Sequence, residues 1–493
     1  MRFKTAPVLV LAALCILLTP RARAGIVGPQ FQVNTYTTYG QRFPNVSADG
    51  AGNFVIVWES YRQDGDGGGI FGRRYDSAGS PLSGEFRVNT ATLDYQYGPS
   101  VGMAPAGDFI VVWSSYPSDG DFTGIFARRY NSTGTAAGAP FQVNTETADY
   151  QYGADVGVDA SGNFVVVWAS YDQDGSGSGI FAQRLNSTGA PQGGEFQVNT
   201  ETFDDQGSPM IAIDPSGNFV VVWQSNGQDG SSFGIFGQRF SSTGLPQGGE
   251  FQVNTFTTNA QKYPDVSVDA SGSFVVVWQS NGQDGSSFGI FGQRFSSTGL
   301  PQGGEFQVNT YTSGQQSFYG PRVAMAGMGE FIVVWDSIDQ DGSGFGIFGQ
   351  QYDETGSPHG GEFRINATTI NDQIFPAVVG ANGDFVVSWS SYDQDGDSYG
   401  VFAQRLCTSP TNPPGEVANL AVSPGGPGLL HLSWDPIAGA SHYSVFSDGA
   451  KDGAFMMEVA GSPTSDPNLT IPCPEVDTFF LVAAGNDCGL GPK

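Results

Sequence analysis

Histidine is nearly missing from this chain, with three in 493 residues, and bases are scarce: 20 Lys and Arg stand against 48 Asp and Glu, for a net charge of -28. His359, His431 and His442 are far apart in sequence, which argues against a histidine metal site or a serine triad. So acidic a surface repels nucleic acid and anionic membranes and favours cations or basic partners. No phosphate-cradling glycine loop and no Cys-x-x-Cys occurs. Long apolar runs are also lacking. The one candidate, residues 6–18, is too short to cross a bilayer. Arg2 and Lys4 precede it and Ala22-Arg23-Ala24 follows, so residues 1–24 read as an export signal. The expectation is a secreted or extracellular protein, in the periplasm or on the cell surface, that does not span a membrane. Its oligomeric state is left open.

What is abundant is glycine, 71 residues, and with 29 prolines it implies many turns, while 13% aromatic content is ample for a packed core. Tryptophans recur at 58, 113, 168, 223, 278, 335 and 389, each in a segment like Phe-Val-Val-Val-Trp. The stretch 219–255 recurs unchanged at 274–310. Each repeat reads as four short strands, in the fifth unit 263–269, 274–280, 290–295 and 306–310, the second opening on a continuous apolar run as in a strand buried on both faces. Four strands per unit match one propeller blade. The fourth-strand motif (Phe-Gln-Val-Asn-Thr) first occurs at 31–35, before the first tryptophan, and does not follow the last. Residues 31–35 are therefore expected to complete the last blade and remove an open edge. A linear β-solenoid is the rival arrangement. The expected fold is all-β: a seven-bladed β-propeller over 25–406, a linker at 407–414, and a small β-sandwich over 415–493.

The C-terminal segment resembles a fibronectin type III domain. Val417-Ala418-Asn419-Leu420 is similar to its first strand, Leu432-Ser433-Trp434-Asp435-Pro436 to the second, His442-Tyr443-Ser444-Val445 to the third, and 480–486 to the sixth. Phe480 stands where the family has its corner tyrosine, and little chain is left for a seventh strand. With Cys15 in the signal, Cys407, Cys473 and Cys488 remain. The resemblance puts Cys473 and Cys488 at opposite ends of the sixth strand, and so implies a disulfide between Cys407 and Cys488.

A glutamine stands ten residues after each fourth-strand phenylalanine, from Gln41 to Gln373, and an aspartate six after each tryptophan, from Asp64 to Asp395. Groups present in every unit are expected to serve the unit, satisfying loop backbone. Arg74, Arg129, Arg184, Arg239, Arg294 and Arg405 recur on the third strand, where an Arg–Asp bond within each blade is expected. Calcium is the cofactor the acids suggest: Asp172 with Asp174, Asp339 with Asp341, and Asp393 with Asp395 and Asp397 resemble the start of an oxygen-ligand loop, though the distal acid is missing. Ligand candidates come from the variable connection before each inner strand: Tyr95, Tyr97, Tyr150, Tyr152, Asp204, Asp205, Lys262, Tyr319 and Arg322. No catalytic constellation stands out. The leading reading is a non-catalytic binding or scaffold protein that presents a propeller face to a protein or glycan. The alternative is a carbohydrate-active enzyme of glycoside hydrolase or lyase type, using carboxylates near the channel.

Overall fold

The computed structural model describes residues 25–116, 122–326 and 329–407, and the backbone of seven strands between 421 and 490. The described residues contain no helix, so none is long and apolar enough to cross a membrane. From 25 to 407 the chain folds into repeated four-stranded antiparallel sheets, a propeller-like arrangement. In the fifth unit the strands are Gln261–Val268, Phe274–Asn281, Phe288–Phe295 and Phe306–Gln307, paired in that order. The Phe-Val-Val-Val-Trp strand lies second and is buried on both faces, which is why it carries no polar alternation. The outer strand is shorter than expected, two residues rather than five. The first and second units join into one eight-stranded sheet through a single parallel pair, Gly68 with Tyr95.

The cores lie between consecutive units rather than within them. One cluster packs Ile110 and Val112 of the second unit against Phe164 and Trp168 of the third. Each innermost strand packs on the next, and Gln41–Ala48 of the first unit packs on Gln373–Ala381 of the seventh. The outer strand of the seventh unit is Gly25–Gln32, antiparallel to Tyr399–Cys407, with a register break between Val27 and Phe31. It begins six residues before the segment expected for this place, because 25–27 pair as well as the phenylalanine motif. Cys407 is buried as the last residue of its strand, rather than opening the linker, and its thiol donates to the Gly25 carbonyl at 3.5 Å.

Farther on, Ala421–Gly426, Leu429–Ser433 and Asn468–Pro472 form a three-stranded sheet. Met457–Glu458, His442–Asp448, Phe479–Asn486 and Gly489–Leu490 form one of four. The first strand thus follows the expected 417–420, which lie outside the described residues. A two-residue seventh strand is present. Cys473, Cys488 and the export signal also lie outside the described residues.

Candidate functional site

The recurring polar residues form one connected frame. The asparagine of each outer-strand motif accepts a hydrogen bond from the third strand, and in most units it donates to the recurring glutamine and aspartate. In the first unit Asn89 Oδ1 accepts from Ile70 N at 2.8 Å, while its Nδ2 donates to Gln96 Oε1 and Asp64 Oδ2, both at 2.9 Å. Asn366 does the same with Gln373 (2.9 Å) and Asp341 (3.1 Å). Gln96 and its counterparts are fully buried and donate to loop carbonyls, as Gln96 does to Leu93. A second device joins neighbours: Glu250 accepts from Gln228 of its own unit at 2.5 Å and from Thr200 N of the preceding one at 2.6 Å. Glu195 repeats this with Gln173 and Thr145. The arginines correct an expectation. They donate to backbone carbonyls of the next unit's turn, Arg129 to Ser187 at 2.7 Å and Arg239 to Ser297 at 2.7 Å, because there the open carbonyls of a tight turn lie within reach.

Where the units differ, a cavity of about 260 Å³ opens among the innermost strands of all seven. Each of these strands, two residues after its glutamine, breaks register and turns left-handed: Phe43, Gly98, Gly153, Ser208, Tyr263 and Phe375 have φ between 52° and 66°. In the sixth unit two extra residues fall here, and Gly320 takes the turn beside Tyr319. Three consecutive units thus place glycine or serine at the cavity, and the other four place aromatic rings. These rings touch in a chain: Phe43–Phe375 at 4.3 Å, Tyr319–Phe375 at 5.3 Å and Tyr263–Tyr319 at 5.6 Å between centroids. A left-handed turn at a bulky residue costs about 1–2 kcal/mol, so a surrounding structure must hold it. At two of the aromatic turns the residue after a tryptophan does so: Gln224 Oε1 accepts from Tyr263 N at 3.0 Å, and Asp336 accepts from Phe375 N at 3.4 Å as well as from Phe318 N at 2.7 Å.

Charged groups stand against this wall. Asp155 and Arg322 line the cavity, and Asp265 adjoins it behind Pro264. Asp155 accepts from Ser100 Oγ at 2.7 Å and from Ile211 N of the next unit at 3.0 Å, and Asp265 accepts from Val323 N at 2.7 Å. Burial pushes Asp155 above the usual carboxylate range and Asp265 up to about 6, the nearby Arg322 charge opposing both shifts. Burial also raises Asp336 to about 6 and Glu59 to about 7. A carboxyl group that titrates near 6 can give or take a proton near neutral pH. Sequence reasoning missed these acids. They occupy two positions that vary between repeats, four residues after the glutamine and one after the tryptophan, and that variation was the available signal.

Of the nine ligand candidates, Tyr319 and Arg322 line the cavity. Tyr95 and Tyr150 are exposed, Tyr97 is half-buried, and Tyr152 lies 2.9 Å from Ser178 Oγ. Asp205 accepts from Ser178 N at 3.2 Å, Asp204 is an exposed left-handed turn residue, and the Lys262 ammonium sits 4.4 Å from the Phe233 ring centroid. In the segments where calcium was expected, Asp174, Asp341 and Asp395 turn to the frame asparagines, and Asp172, Asp339 and Asp393 are left-handed turn residues. Asp397 accepts from Tyr39 N at 2.9 Å. Among the described residues, no group of three or more His, Cys, Asp or Glu is placed to hold a metal ion.

No protein-family model and no curated protein matches the chain. Among solved structures it is similar to a protein of unknown function from Dyadobacter fermentans, at 9% identity and a TM-score of 0.47, with 79% of this chain and 99% of that one covered. An α-L-arabinanase from Penicillium chrysogenum aligns at 13% identity and a TM-score of 0.43, over 78% and 98% of the two chains. The phage phi92 endosialidase aligns at 9% identity and a TM-score of 0.44, over 92% and 80%.

Proposed function

We propose that the chain is an exported seven-bladed β-propeller followed by a fibronectin type III-like sandwich, and that it acts on a glycan at the central cavity. The observation that carries this reading is the broken symmetry of the inner turn. A frame that repeats its polar bonds in most units gives up that sameness in one place, setting four aromatic-bearing turns with Gly98, Gly153 and Ser208 around Asp155 and Arg322, with Asp265 buried behind Pro264. Aromatic faces with a few convergent polar groups suit a sugar ring. Asp265, titrating near 6, is the candidate acid and Asp155 its partner carboxylate, in an enzyme of glycoside hydrolase or lyase type.

Glycan capture without cleavage is the second reading. It is favoured by the two bonds that already occupy the Asp155 carboxylate. Calorimetry with oligosaccharides, alongside assay of released reducing ends, separates the two. For the enzyme, Asp265→Asn abolishes turnover and leaves binding intact. For capture, wild type binds and releases nothing. Binding that survives Tyr319→Ala unchanged overturns the cavity assignment in both.

A further inference from the structure

Exposed tyrosines are concentrated on four consecutive units of one face. The position three residues after the tryptophan holds Tyr392, Tyr61, Tyr116 and Tyr171 in the seventh, first, second and third units, and Asn226, Asn281 and Ile338 in the fourth to sixth. The residue paired across from it adds Tyr95 beside Tyr116 and Tyr150 beside Tyr171. Five of these rings are open to solvent by 39–48%. Tyr61 and Tyr95 stack across the first two units at 6.2 Å, and the other rings follow on successive units in a crescent. An exposed left-handed aspartate stands next to each of several rings: Asp94 by Tyr95, Asp172 by Tyr171, Asp393 by Tyr392.

We infer that this crescent is a second binding site, which holds the extended chain of a neutral polysaccharide outside the cavity. Tyrosine offers a large rigid face at low entropic cost, and the neighbouring carboxylates accept hydrogen bonds from hydroxyl groups. The same carboxylates and the net charge of -28 repel polyanions. One ring of the crescent already carries a cation, since Arg62 lies 5.2 Å from the Tyr61 centroid. The inference takes its ligand class, and not its position, from the cavity reading.

The test is affinity electrophoresis of the full chain in gels cast with arabinan, xylan, mannan or mixed-linkage β-glucan. At least one polymer is expected to retard wild type. The triple variant Tyr116→Ala, Tyr150→Ala, Tyr171→Ala should bind it at least roughly tenfold more weakly, because three aromatic faces are removed together. The matching triple phenylalanine variant should keep binding, and because the side chains are exposed both variants should melt like wild type. Equal retardation of wild type and the alanine variant, no retardation by any of the four polymers, or retention by poly-lysine instead overturns the inference. Loss in the alanine variant with no effect of Tyr319→Ala keeps the crescent and overturns the cavity reading. The reverse pattern keeps the cavity and overturns the crescent.

Discussion

Asp265 and Asp336 are buried near the cavity without a full complement of donors from solvent, and both titrate near 6 instead of 3.8. The folded state therefore holds their protons more tightly than the unfolded chain does. Their contribution to stability is complete below the unfolded value and is lost as pH rises through about 6. Each should cost roughly 1 kcal/mol of stability between pH 5 and pH 8. Asp265→Asn keeps an acceptor for Val323 N and removes the charge, so its advantage over wild type should be larger at pH 8 than at pH 5 and should vanish below about pH 4. Urea melts at the two pH values check this. A variant with wild-type pH dependence would place the titration elsewhere.

Among the strands and their connections, the glutamate bridges have the largest reach for a single residue. Glu250 binds Gln228 and both the amide and hydroxyl of Thr200, tying one sheet to the one before. Glu250→Ala leaves three donors without their partner and should cost about 1–3 kcal/mol, seen as a lower urea midpoint with unchanged slope. Glu250 precedes its strand phenylalanine, as do Glu85, Glu195, Glu305 and Glu362, so the pattern was present in the sequence. Its partner across units was not legible, because Thr200 lies 50 residues away on the preceding one. The repeated four-strand sheets were legible for a different reason. Val276, Trp278 and their neighbours obey a local rule of burial that reads directly from composition. The arginines misled because an aspartate stood close in sequence while the true acceptors, such as the Ser187 carbonyl, were in the next unit. The cavity was hidden by the same logic that revealed the frame. Phe43, Asp155 and Tyr263 matter where they depart from the repeat, and departure alone does not distinguish a site from loop drift.

At the scale of the molecule, the seventh unit borrows its outer strand from residues 25–32, which are distant in sequence. Deleting 25–32 should expose the edge of Tyr399–Cys407, lower the melting temperature and promote association through that edge. Calorimetry and size-exclusion chromatography measure both, and an unchanged monodisperse variant would favour an open solenoid. The pairing also has a mechanical side. Gly25 and Cys407 are register partners at one end of an antiparallel pair, so a force that draws them apart loads the strand bonds one after another, as in a zipper, and not all at once as in shear. The break between Val27 and Phe31 divides the zipper into a short outer section and an inner one anchored by Phe31 on Ala403 and Gln32 on Phe402. Tension across these ends would open the outer section first and leave the seventh unit covered until the inner section yields.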